Sequence, residues 1–130
     1  MLQKLSKVKV IDNTGVVYAK IIQLYSGRKT YAYLGNFIRI TTRSIKKFKK
    51  TKKVKAHRAR KIIFRKRRRM ATIVRVKRFI PYIDGSLIRF RDNGVILYKK
   101  RKMLKGKRFY GMTTRCLGYE KLVKKFKMHI

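Results

Sequence analysis

The chain has 130 residues, 45% of them hydrophobic, which suits one domain with one modest core and excludes a chain disordered throughout. Its 40 Lys and Arg against 4 Asp and Glu leave a formal charge of +36, and a compact monomer does not tolerate that self-repulsion without a dense anion beside it. No run of about 18 apolar residues offers a transmembrane helix, the start MLQKLSK lacks a secretory core and runs into a strand-like segment with no room for a cleavable presequence, and the single cysteine, Cys116, excludes an intramolecular disulfide and fits a reducing interior.

In chain order, Val8, Val10 and Ile11 alternate with Lys7 and Lys9 as a short strand, which Asp12-Asn13-Thr14-Gly15 turns. Val16 to Leu24 is β-branched and mostly apolar, a strand buried along most of its length and ended by Ser26-Gly27. Tyr31, Tyr33 and Leu34 lead through Gly35-Asn36 to a third strand, Phe37 to Thr42, and connections this short make a meander.

From Arg43 to Arg69 the character changes: 16 of 27 residues are Lys or Arg and none is acidic. The cations are Arg43, Lys46, Lys47, Lys49, Lys50, Lys52, Lys53, Lys55, Arg58, Arg60, Lys61, Arg65, Lys66, Arg67, Arg68 and Arg69. A like-charge block is usually a solvated tail, but this one lies between two strands, so its ends must return to each other. It reads as a loop or β-ribbon that orders on a nucleic acid, where each phosphate bound releases a counterion. Arg28 and Lys29 before it, and Arg75, Lys77 and Arg78 after it, extend the set of candidate phosphate contacts.

Met70 to Phe79 is the next strand, stopped by Pro81, the only proline. The stretch from Ile83 to Lys100 follows as the clearest motif of the chain. Leu87, Ile88 and Phe90 precede Asp92-Asn93-Gly94, and Val95 to Tyr98 follow, the strongest short-range hairpin signal, with Gly94 placed to take a positive φ. Gly106-Lys107-Arg108-Phe109-Tyr110-Gly111 is a turn bracketed by glycines. Tyr119, Leu122, Val123 and Phe126 then fall at helical spacing with Lys121, Lys124 and Lys125 opposite, a short amphipathic helix. The chain is therefore mainly β with a helical end, and it contains neither a repeat nor a linker.

Catalytic chemistry finds little to work with. Asp12, Asp84 and Asp92 sit in turn signals (DNTG, DGS, DNG), where a carboxylate caps backbone amides beside Gly15, Gly85, Asn93 and Gly94. Glu120 is the remaining carboxylate, which leaves no pair for acid–base work. His57, His129 and Cys116 have no second ligand at metal spacing, so neither a metal nor a cofactor is expected, and Cys116 reads as a small packing residue. The 8 Tyr and 7 Phe interleave with cations, as bases to be stacked on would require, although Phe37, Phe79 and Phe90 read as core.

Taken in order, DNTG, Gly35 before the Phe37-Ile38-Arg39-Ile40 strand, IVRVKR, DGSLIRF followed by DN-G and VIL, and GKRFYG with TTR resemble the universal large-subunit ribosomal protein L-fourteen family over most of the chain apart from Lys46 to Arg69. The resemblance implies a small closed five-stranded β-barrel with a basic β-ribbon and a C-terminal helical segment, bound to large-subunit rRNA on the face that meets the small subunit. It implies as partners neighbouring large-subunit proteins, small-subunit rRNA across the interface and a ribosome-silencing factor. By this resemblance, Lys107, Arg108, Arg115 and Lys124 are expected at the positions that face outward in the family. The chain departs from the family pattern at Asn36, Met112 and Cys116, where an acid, a proline and an acid are usual. With the Lys, Ile, Tyr and Phe richness, these changes point to an organelle-encoded mitochondrial protein, ahead of a plastid or bacterial one. The expected function is a structural, non-enzymatic constituent of the large subunit that supports subunit bridging. The rival is a DNA-compacting protein, which composition alone supports equally well; a membrane-surface peptide would need a longer basic helix.

Overall fold

Alternation of apolar with polar residues drives the first half of the chain into strands: β1 (Lys7–Val10) buries Val8 and Val10 and exposes Lys7 and Lys9. The computed structural model describes residues 1–25, 30–46, 68–99, 103–118 and 120–129. After β1 come β2 (Val16–Leu24), β3 (Phe37–Ile45), β4 (Arg68–Arg75), the short pieces β5 (Ile80–Pro81) and β6 (Leu87–Ile88), and β7 (Gly94–Leu97). Strands β1-β2-β3-β4-β7 close into a five-stranded barrel. Neighbours are antiparallel except at the seam, where β1 runs parallel to β7, with Lys9 beside Gly94 and Val10 beside Val95.

The barrel interior is filled by Val8, Val10, Ala19, Ile21, Ile38, Ile40, Ala71, Ile73, Val95 and Leu97. Each large aliphatic side chain so buried is worth about 1.5–3 kcal/mol. A second core lies outside: Val74 of β4 and Ile96 of β7, with Ile11, pack against Phe109, Leu117, Leu122, Val123 and Phe126. Strand β7 is thus buried on both faces, which is why Val95, Ile96 and Leu97 are apolar at successive positions.

That double burial corrects the hairpin expected around Asp92-Asn93-Gly94. Leu87 and Ile88 do not pair with β7; they pair with β5, Ile80 beside Ile88 and Pro81 beside Leu87. The turn of this true hairpin is Asp84-Gly85-Ser86, where Gly85 has φ +81° and Tyr82 N–H donates to Ser86 O at 2.9 Å. Strand β4 stops at Arg75, short of the expected Phe79, and Pro81 lies in β5 rather than terminating β4. The Asp92-Asn93-Gly94 residues tie strand ends together instead: Asn93 O accepts from Lys9 N–H at 2.8 Å and Asn93 Oδ1 from Lys77 N–H at 2.9 Å. Gly94 is outside the left-handed region and is glycine for space, since a Cβ there would lie 2.9 Å from Arg75 Nε and 3.3 Å from Ile11 Cγ2.

The C-terminal helix is shorter than its periodicity suggests. A 3-10 turn at Arg115–Leu117 ends at Gly118 with φ 74°, and α1 (Glu120–Val123) makes one turn before the chain enters β9 (Met128–His129), which pairs in parallel with β8 (Met112–Thr113). Leu122, Val123 and Phe126 are buried as the spacing predicts; after Val123 the chain continues in i to i+3 turns (Lys125 N–H to Leu122 O, Phe126 N–H to Val123 O) before Met128 and His129 pair with β8. Phe90 is buried and Phe37 packs edge-on to Tyr98 at 5.4 Å, but Phe79 is 54% exposed, and Cys116 is exposed rather than a packing residue.

Candidate nucleic-acid interface

The barrel register places cations in a row. Lys7 is the direct partner of Lys20, Lys20 of Thr41, and Thr41 of Arg68, across β1, β2, β3 and β4. Their neighbours Val8, Ala19, Ile21 and Ile40 point inward, so this row lies on the outer face, and Arg39 and Arg43 flank Thr41 on the same face of β3. Like charges directly opposed in a ladder are destabilising, and Lys7 against Lys20 is such a pair. Tyrosines are interleaved: Lys7 Nζ sits 4.3 Å from the Tyr18 ring centroid, and Arg39 donates from Nε to Tyr25 Oη at 2.9 Å. Beside Tyr25 an open cleft of about 510 Å³ is lined by Leu34, Gly35, Asn36, Phe37, Leu117 and Gly118.

The sequence-predicted contacts divide into three groups. Arg43, Lys46, Arg68, Lys77 and Arg78 are exposed. Arg28, Lys29 and the cations from Lys47 to Arg67 lie outside the described residues. Arg69 and Arg75 are turned inward, and burial lowers the pKa of both guanidinium groups, opposed by Asp12 for Arg69 and by Asp92 for Arg75. Arg75 is only 9% exposed; its Nε lies 3.0 Å from Asp92 Oδ1 without hydrogen-bond alignment, while Nη2 donates to Oδ2 at 3.3 Å. Lys9 reaches the same carboxylate at 3.4 Å. Arg75 is therefore engaged by a protein carboxylate, and Asp92 works as an ion-pair acceptor rather than as a turn cap. The strand cations Lys7, Lys20 and Arg39 on this face lie outside the charge runs, and their signal in the sequence is the alternation of a cation with an apolar residue.

A second group gathers at one end of the barrel. Asp12 is buried, accepting from Thr14 N–H at 2.9 Å through Oδ1 and from Leu97 N–H at 2.8 Å through Oδ2. Asn13 Oδ1 accepts from the backbone N–H groups of Lys107 at 3.0 Å and Arg108 at 3.4 Å, so this turn displays both side chains to solvent. Gly106 makes the approach possible, since a Cβ there would fall 2.7 Å from Asp12 Cβ. Phe109 and Phe126 pack with ring centroids 5.3 Å apart and hold the segment carrying Lys107 and Arg108 against the one carrying Lys124. Arg115 and Lys124 are exposed, and Lys46 Nζ reaches to 5.7 Å from the Tyr110 ring, joining the end of β3 to this region. Among the described residues, no group of three or more His, Cys, Asp or Glu converges to hold a metal ion.

A family model described as ribosomal protein L14p/L23e matches residues 1–128. The large ribosomal subunit protein uL14m of Nyctotherus ovalis, the suffix marking a mitochondrial protein, is 32% identical over 133 residues covering 100% of both chains. The uL14m of Tetrahymena pyriformis is 32% identical over 127 residues, 97% of each chain, and the uL14 of Carsonella ruddii (strain PV) is 31% identical over 125 residues, 95% of this chain and 93% of its own. The chain belongs to the ribosomal protein L14p/L23e family, as a structural protein of the large ribosomal subunit of mitochondrial type.

Proposed function

We propose that this protein seats on large-subunit rRNA through the outer face of β1 to β4 together with the basic segment from Arg43 to Arg69, and turns the end of the barrel bearing Lys107, Arg108, Arg115 and Lys124 toward the small subunit. The observation that carries this reading is the row Lys7, Lys20, Thr41 and Arg68 across β1 to β4, in which Lys7 and Lys20 are directly opposed like charges, a pairing unfavourable in the free protein that a phosphate backbone would relieve. The chain works as a single barrel domain that is a rigid base for the basic segment, and its contribution is phosphate neutralisation with recognition of RNA shape. The cleft beside Tyr25 is suited to one unstacked base. Neighbouring large-subunit proteins complete the seat, and the outward end meets small-subunit rRNA and offers the same cations to a silencing factor. Membership of a ribosomal family sets aside the rival of a free DNA-compacting protein.

Changing Lys107, Arg108 and Lys124 together to Glu tests the division of labour. Large subunits should still incorporate the variant while joining to small subunits weakens, most at low magnesium and moderate salt, as sucrose gradients with quantified protein in each peak would record. Loss of the variant from the large-subunit peak, or normal joining, would each refute the assignment of that end to the interface.

A further inference from the structure

The hairpin made by β5 and β6 contrasts with everything around it. Phe79 to Ile88 is a run of ten residues with neither Lys nor Arg in a chain that carries 40 of them, and its one charged residue is Asp84. Three of its apolar side chains are presented to solvent: Ile83 at the tip is fully exposed, Leu87 61% and Phe79 54%. The tip is nevertheless pre-formed. Asp84 Oδ1 accepts from Ser86 N–H at 3.0 Å and from Ser86 Oγ–H at 2.7 Å, and Gly85 N–H donates to Tyr82 O at 3.1 Å. The base is held to the body of the protein, since Ile80 packs against the barrel core. Tyr82 meets Cys116 of the C-terminal segment, and burial followed by this thiol raises the phenol pKa.

We infer that this hairpin is a docking knob for a neighbouring protein of the large subunit, a partner presenting a concave apolar pocket edged by Lys or Arg. The chemistry of the tip selects against RNA. Ile83 and Leu87 have no aromatic face for a base and no donor for a phosphate, and an exposed carboxylate would repel the backbone of a nucleic acid. The same three features suit a basic protein: two aliphatic anchors enter a pocket, and Asp84 meets a cation at its edge. A tip ordered by its own hydrogen bonds loses little conformational freedom when it docks. Arg89, whose guanidinium lies 5.1 Å from the Phe79 ring centroid, and Arg78 form the margin where the knob gives way to the cationic surface.

The test places a benzophenone-bearing phenylalanine at position 83 in the full chain, assembles it into large subunits, purifies them on gradients and irradiates. Sedimentation with the large subunit reports the seating, and the cross-link reports the knob, so the two readings fail separately. A cross-link to one large-subunit protein, mapped by mass spectrometry to a peptide carrying Lys or Arg beside apolar residues, is the expected result. A cross-link to rRNA, or none above that of the same probe at exposed Tyr33, would overturn the proposal. In a second arm, I83D combined with L87D should keep the parent melting temperature and affinity for naked rRNA but lower affinity for the purified cross-linked protein by ~tenfold or more. Unchanged affinity for that protein would also overturn it.

Discussion

Asp12 and Asp84 occupy the same local motif and do different work. Each accepts from the backbone N–H two residues ahead, Thr14 at 2.9 Å and Ser86 at 3.0 Å, and each also takes the hydroxyl of that residue. The likeness ends at the second oxygen. Oδ2 of Asp12 accepts from Leu97 N–H, 85 residues away in sequence, in a buried setting, whereas Asp84 stands in solvent and closes only its own turn. A carboxylate in a turn becomes a structural pin when a distant strand is brought to it, and stays a local cap when none is.

Asp12→Ala should carry the largest cost, about 3 kcal/mol, because it strands the buried Leu97 N–H and the Thr14 N–H without an acceptor; denaturant unfolding would measure it. A loss no greater than that of Asp84→Ala would erase the distinction between the two turns. Glycines at the two places sharpen it further. Gly106→Ala should destabilise by about 1–3 kcal/mol through the clash with Asp12. Gly85→Ala meets open space and pays only the strain of φ +81°, about 1 kcal/mol; thermal melts of the pair should keep that order.

The smallest effect is one of pH. The Ser86 hydrogen bonds hold the Asp84 carboxyl below its ordinary value, so what they contribute is fully present above the unfolded-state pKa and is lost as pH falls through the folded one. Full exposure keeps this contribution slight. In a pH series followed by NMR, the Asp84 carboxyl should titrate below the ordinary carboxylate range, and Ser86→Ala should return it toward that range while hardly moving the melting curve at neutral pH.

Much of the barrel is legible in the sequence because β1, β2 and β3 are neighbours along the chain and their alternation reports which side is wet. Strand β7 was harder to place. Val95-Ile96-Leu97 announces a strand, but its partners β1 and β4 lie far away in sequence, and a local rule assigned it the nearest apolar run, Leu87-Ile88. Gly94 misled for a related reason: glycine signals either a left-handed residue or a tight approach, and only the position of Arg75 decides between them. For the proposed interface, density of charge points only to the basic segment, while the row formed by Lys7, Lys20 and Arg68 exists only once the strands are in register.

The parallel seam between β1 and β7 has a consequence for how the chain comes to be folded. During synthesis the first three strands can pair as they emerge, but the barrel lacks its last stave until Leu97 is out, and until then β1 and β4 are open edges. Contacts of such long sequence separation make closure a slow step. The whole basic segment from Arg43 to Arg69 leaves the ribosome that makes it before closure is possible, so the nascent protein is a polycation whose sheet edges stay open to edge-to-edge association until Leu97 is in place.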